Sequence, residues 1–270
     1  MSPPPRRRQA RPERTGARRP PAHPLGGDQV EGRRAVLELL AVRRRRVRRV
    51  TLAEGQDPSP LLDEIERLAA RGRVPLEPVP WARLAARAKT AAPQGVIATA
   101  EPCRPVELGA LVDRSPFLLV VAGVTDPQNL GAMLRSAAGA GVGGVVLPKH
   151  RSVHLSPSAV KVAAGAVEHL DFSVVGGIAS ALATLATAGV RTVGLAADAA
   201  RSLYGLDLSE GPLALVVGGE EKGLAPLVRR RCDAVVAIPE HGGVASLNVA
   251  AAATVACFEV ARQRGAGRRP

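Results

Sequence analysis

The sequence predicts an α/β protein built as a small α/β/α unit followed by a larger, doubly wound, mostly parallel sheet. Three observations carry that reading. Apolar runs of Val, Leu and Ala recur along the chain between stretches of helical periodicity. In the second half these runs are near-continuous rather than alternating, as in strands buried on both faces. Helices separate them throughout, which is how parallel strands are joined.

Residues 1–24 are Arg- and Pro-rich without apolar periodicity, and disorder is expected there. Structure is expected from Leu25. Val36, Leu37, Leu39 and Leu40 give helical spacing over 31–42. A strand at 47–53, a helix at 60–71, a strand at 74–79, a helix at 81–89 and a strand at 95–100 complete a first domain over 25–100. The stretch 101–115, with Pro102 and Pro105 inside it and Pro116 beyond, reads as a linker. The second domain spans 116–264. Its strands are expected at 117–124, 142–147, 190–196, 212–218 and 233–238. Its helices are expected at 129–140, 157–164, 178–188, 224–230 and 247–262. Residues 265–270 read as a flexible tail.

Aromatic residues make up only 2% of the 270 residues. No apolar run reaches the roughly 18 residues of a membrane span, so no membrane partner is expected. The basic start lacks the apolar stretch of a secretory signal. Three scattered cysteines, Cys103, Cys232 and Cys257, offer neither a disulfide framework nor zinc spacing. A reduced, cytoplasmic, metal-free protein is expected. The net charge is +13, and its placement is informative. Residues 1–24 carry +6, residues 25–50 carry +5 and residues 259–270 carry +3, leaving the body between 51 and 258 at −1. Arginine-rich flanks on a neutral body suit a polyanion such as RNA. A biased genome or a solubilising tail gives the same composition. With so few aromatics, recognition runs through phosphate, sugar and shape.

Three segments follow expected strands and place polar groups or glycines at strand ends, where open α/β sheets collect ligands. In Asp126-Pro127-Gln128-Asn129-Leu130-Gly131, Pro127 opens a helix whose first turn holds Asn129. Arg135, four residues after Gly131, supplies a forked donor for phosphate or carboxylate. Taken singly, Asn129 caps a helix and Arg135 pairs with a surface acid. Gly218-Gly219-Glu220-Glu221-Lys222-Gly223 permits close approach of a ligand, or is a plain turn. Ile238-Pro239 and Ser246-Leu247-Asn248 flank a glycine-bearing loop and start the last helix, with Ser246 a candidate N-cap. His241 in that loop reads as solvated. Gly139-Ala140-Gly141-Val142-Gly143-Gly144 fits a dinucleotide-binding pattern, but it follows a helix and precedes a strand. It reads as a helix end and tight turn.

In order and spacing these three segments resemble the motifs of the SpoU (TrmH-like) RNA 2′-O-ribose methyltransferases over about residues 117–262. Lys161-Val162-Ala163-Ala164-Gly165-Ala166 resembles a further segment of that family. Gly32-Arg33-Arg34-Ala35-Val36 and Gln94-Gly95-Val96 resemble the ribosomal-protein-L30-like RNA-binding domain of its two-domain members. The resemblance replaces the doubly wound sheet with a SPOUT-type α/β knot, a mostly parallel sheet with a C-terminal trefoil knot, and implies a homodimer. It implies S-adenosyl-L-methionine held by Leu195, Ala196, Gly218, Gly219, Ile238, Ser246 and Leu247. It implies catalysis by Arg135, with Asn129, Glu220, Ser246 and Asn248 orienting that arginine and the ribose, some groups coming from the second subunit. Whether Arg135 is the base or only orients stays open, since free arginine is almost always charged. Two departures stand out: Glu221 where many relatives have a small residue, and Ala163 where serine is frequent.

The reaction so implied is ribose 2′-O-methylation of RNA, with a 23S rRNA guanosine favoured by the two-domain layout. A tRNA substrate, an antibiotic-resistance adenosine methylation and a non-catalytic RNA-binding or ribosome-assembly factor are the alternatives. A nicotinamide-dependent oxidoreductase would have to bind through Gly139–Gly144, against the spacing.

Overall fold

The computed structural model describes residues 25–150, 152–220, 222–242 and 246–265. The stretch 1–24, Glu221 and residues 266–270, on which the sequence raised expectations, lie outside them. The first sheet is built from β1 (Gln29–Glu31), α1 (Arg33–Val42), β2 (Val47–Ala53), α2 (Pro60–Gly72), β3 (Leu76–Val79), α3 (Trp81–Arg87) and β4 (Val96–Ala100). Its order is β1-β4-β2-β3, with β2 and β3 parallel and the other pairs antiparallel. α1 turns Val36, Leu39 and Leu40 inward at helical spacing. Strand β1 was not expected, because three residues carry no period. Its last residue, Glu31, is buried, and the carboxylate accepts from the backbone N–H groups of Lys89 (2.7 Å) and Thr90 (3.1 Å).

The second sheet follows α4 (Leu108–Arg114): β5 (Phe117–Val121), α5 (Pro127–Gly139), β6 (Gly144–Pro148), α6 (Pro157–Val162), β7 (Asp171–Val175), α7 (Ile178–Thr187), β8 (Arg191–Leu195), β9 (Leu213–Val217), α8 (Pro226–Arg231), β10 (Ala234–Val236) and α9 (Val249–Gln263). All six strands are parallel, in the order β10-β8-β9-β5-β6-β7. The unbroken apolar strands are explained by what lies on each side. Phe117, Leu119 and Val121 of β5 join the cluster under α5 and α9, whereas Leu118 and Val120 join that under α4 and α7. Beyond β10, Ala237 donates to the Arg201 carbonyl and accepts from Leu203 N–H, each at 2.8 Å. The chain leaving the sheet therefore runs beside the loop joining β8 and β9 before α9 packs on α5.

The stretch 101–115, expected as a linker, carries α4, whose Leu111 is fully buried against the second sheet. The two sheets are held close by a buried ion pair. Arg45 and Glu168 have side chains only 8% and 2% exposed. The guanidinium grips the carboxylate with two bonds, at 2.9 and 2.6 Å, and donates to the carbonyls of Gly27 (2.7 Å) and Glu101 (2.6 Å). Burial opposes the charge on Arg45, yet the Glu168 carboxylate outweighs it and raises the guanidinium further. Beside it, Arg44 pairs with Asp171.

Candidate active site

Because the strands of the second sheet are parallel, the loops leaving β5, β8, β9 and β10 gather along one edge. Those leaving β8, β9 and β10 line a cavity of about 230 Å³. Leu195, Ala196, Gly218, Gly219, Ile238, Ser246 and Leu247, the seven residues read as cofactor contacts, all line it. Its walls are otherwise apolar side chains, among them Val217 and Val236, apart from Glu220 and Glu240. Among the described residues both charged lining groups are acidic and none is basic, so a cationic, partly apolar ligand is favoured. The sequence reading missed Glu240; its Oε1 accepts from Leu247 N–H (3.0 Å) and ties the start of the last segment to the cavity rim. Gly219 and Gly223 exchange backbone bonds of 3.2 and 3.0 Å, closing the loop after β9. A Cβ on Gly218 would lie 2.1 Å from the carbonyl carbon of Gly223, so this closure requires glycine there.

At the mouth stands a chain of polar side chains drawn from three distant segments. Asn129 Nδ2 donates to Glu220 Oε1 (3.1 Å), and Asn248 Nδ2 donates to Asn129 Oδ1 (3.1 Å). Asn248 Oδ1 in turn accepts from Ala250 N–H (2.8 Å) and caps α9. The N-cap expected at Ser246 therefore belongs to Asn248, and the cap of α5 belongs to Asp126, whose carboxylate accepts from Gln128 N–H (2.9 Å). Neither asparagine side chain is left to rotate, which orients each amide. Partial burial works against the Glu220 charge. The Asn129 amide and backbone N–H groups at Glu220, Asp126 and Thr125 outweigh it and hold the carboxyl below its ordinary value. Ser246 and Glu220 line the cavity, and Asn129 and Asn248 are hydrogen-bonded in a chain to Glu220, so four of the five residues expected to be catalytic gather at the cavity or its mouth.

Arg135 does not join them within one chain. It lies six residues along α5 from Asn129, about 9 Å of helix rise, and is exposed. Among the described residues its guanidinium has no hydrogen bond or ion pair. It opens into a second cavity, of about 700 Å³, between the two sheets, together with Arg33, Arg34, Gln94 and Lys161. Gln94 is fixed there by accepting from Arg33 N–H (3.0 Å), and Lys161 Nζ donates to Thr90 Oγ1 (3.3 Å). Three segments singled out in the sequence, around Gly32, Gln94 and Lys161, thus converge on Arg135. Ala163 is fully buried, so its side chain contributes packing. Among the described residues no three His, Cys, Asp or Glu side chains group as metal ligands, and no helix is long and apolar enough to cross a membrane.

The profile of the SpoU rRNA methylase family matches residues 116–258, and that of the RNA 2′-O ribose methyltransferase substrate-binding family matches residues 29–106. The chain belongs to the SpoU rRNA methylase family. Among SpoU relatives, the 23S rRNA (guanosine-2′-O-)-methyltransferase RlmB of Pseudomonas syringae pv. tomato is 39% identical over 249 residues, covering 90% of this chain and 98% of its own. The enzyme of the same name from Escherichia coli K12 is 38% identical over 242 residues, covering 88% and 99%. A solved RNA 2′-O ribose methyltransferase superposes with a TM-score of 0.71 at 27% identity, covering 87% of this chain and 88% of its own. The SpoU methyltransferase AviRb from Streptomyces viridochromogenes, solved in complex with AdoMet, shares the fold with a TM-score of 0.72 at 24% identity, over 88% and 91% of the two chains. The SPOUT-type α/β fold is thereby established for a chain whose sheet is entirely parallel in its second half.

Proposed function

We propose that this SpoU protein transfers a methyl group from S-adenosyl-L-methionine to the 2′-hydroxyl of a guanosine in 23S rRNA. The observation that carries the reading is the apolar cavity whose only charged lining groups, among the described residues, are two carboxylates, set against the Glu220–Asn129–Asn248 chain. The names of the curated relatives support rRNA and guanosine. Residues 25–100 are the L30-like RNA-binding domain and 116–264 the knotted catalytic domain, in a cytoplasmic homodimer.

The cofactor, when bound, supplies an activated methyl group on a sulfonium. Leu195, Ile238 and Leu247 would hold its apolar parts, and Glu220 and Glu240 would attract its positive charge. Asn129 and Asn248 keep Glu220 oriented toward the ribose. Arg135 would bind the phosphate beside the reacting hydroxyl and hold that hydroxyl in line for attack, its proton passing to solvent water. Since Arg135 and the cofactor cavity are not joined within one chain, the arginine facing each cavity would come from the partner subunit. An isologous contact across α5 and α9 suits this, because Phe258 on α9 is 48% exposed and lies over Gly139 at the end of α5.

The test is methyl transfer from labelled S-adenosylmethionine to unmodified 23S rRNA and, separately, to bulk tRNA. Label recovered as 2′-O-methylguanosine in 23S rRNA is expected; label only in tRNA would move the substrate, and no label in any RNA would end the reading. A smaller experiment checks the cavity. Gly218→Ala forces a Cβ into the Gly223 backbone and should open the loop at a cost of about 1–3 kcal/mol. Calorimetric titration should then show roughly 10- to 100-fold weaker cofactor binding.

A further inference from the structure

A second basic groove lies away from the cofactor cavity, where the C-terminal ends of α1 and α2 meet the start of β2. Its volume is about 540 Å³. The floor is apolar, formed by Leu39, Leu40, Leu68 and Val74. Around it stand Arg43, Arg46, Arg48 and Arg73, all exposed. None of these four guanidiniums has a hydrogen bond or ion pair among the described residues, and no acidic side chain lines the groove. The arginine run thus divides by task. Arg44 and Arg45 turn to Asp171 and Glu168, and Arg49 pairs with Glu77, while Arg43, Arg46 and Arg48 remain free at the groove. Arg43 and Arg73 close their helices in the left-handed conformation, at φ 57° and 53°, where glycine is the usual residue. Arginine at both positions sets two guanidiniums at one mouth.

We propose that this groove holds a single-stranded stretch of the RNA substrate beyond the reacting nucleotide, with phosphates on the four arginines and a base over the apolar floor. The inference rests on the reading of the chain as an rRNA methyltransferase. Charge selects a polyanion. The chain's own segment 1–24 carries +6, and like charge argues against it as the occupant. Guanidinium planes and an apolar floor receive an unstacked base where no aromatic platform exists. Placement agrees as well. Arg33 and Arg34, in the cavity with Arg135, begin α1, and Arg43 ends it, about 15 Å away along the helix. One strand running the length of α1 meets both.

The test uses the full chain with Arg43, Arg46, Arg48 and Arg73 all changed to Gln, and unmodified, protein-free 23S rRNA as the probe. Filter binding across a salt series should show a slope of log affinity against log salt reduced by roughly 2–4, and affinity at fixed salt about tenfold weaker or more. Cofactor affinity and the rate at saturating rRNA should be unchanged. Arg48→Glu alone, on the exposed part of β2, should move binding in the same direction, so a poorly folded fourfold variant still leaves a readout. Unchanged slope and affinity in both variants would overturn the groove. So would loss of binding to polyglutamate with rRNA binding intact, which would mark a protein partner. The methyl-transfer reading fails separately, if the unaltered protein labels no RNA while the substitutions still weaken rRNA binding.

Discussion

Arg135→Ala should lower turnover by about 10²–10⁴-fold while leaving cofactor affinity unchanged. The separation follows from position. Arg135 contributes nothing to the walls of the cavity around Gly218 and Ile238, and instead faces the cleft with Arg33, Arg34 and Lys161. Rate at saturating rRNA should collapse and RNA affinity fall only in part. Arg135→Lys should recover little, because a point charge cannot replace the planar two-pronged donor. The same variant reports which subunit supplies the arginine. Mixed with Glu220→Gln, which disables the other half of the site, it forms dimers carrying both lesions. If each site combines two chains, one site per mixed dimer is intact and about a quarter of the activity returns. If each site lies within one chain, nothing returns. A monomer, or a mixture without recovered activity, would sink the shared site.

The second large effect is on stability. Glu168→Ala should cost about 3–5 kcal/mol, because it strands the Arg45 guanidinium in a buried position. Two carbonyls, of Gly27 and Glu101, remain as partners but carry no full negative charge. Replacing both members, Arg45→Met with Glu168→Leu, should cost far less, since no buried charge is then left unpaired. Urea unfolding of the single and double variants distinguishes the cases. Equal losses would mean that the pair contributes through packing. The wild-type protein should also resist proteolysis between residues 101 and 115, and the single variant should become cleavable there, as α4 and its flanks lose their fixed neighbours.

Much of this was legible in the chain because its strands are extreme. β5 and β9 are five-residue apolar runs buried along their whole length, and no other element suits such runs between helices. β7 was not read, since Asp171 and Ser173 interrupt its pattern; Ser173 is nonetheless buried, paired opposite Val146 of β6. α4 was hidden among prolines that suggested a linker. For the site, glycines and asparagines after strands were visible, and the resemblance gave them an order. The bonds among Asn129, Glu220 and Asn248 were not, because they join residues 91 and 119 positions apart. The placement of Arg135 in a different cleft from its expected partners was equally invisible. Residue spacing along α5 gives the angle between two side chains, but not which neighbour fills the space each one faces.

The sheet order also sets a sequence in time. The walls of the candidate cofactor cavity come from residues 195–223 and then from 236–252, and α9 is the element that lies across α5. During vectorial synthesis, the first sheet and β5 to β9 are made before the segment holding Ile238, Leu247 and Asn248. A nascent chain that ends before Asn248 has Asn129 and Glu220 but neither the final cavity wall nor the amide that steadies them. On the proposed assignment of these residues, methylating competence arrives as a late, single event rather than by degrees. On the proposed reading, a partly made chain already carries its arginine-lined grooves and would hold RNA before it could modify it.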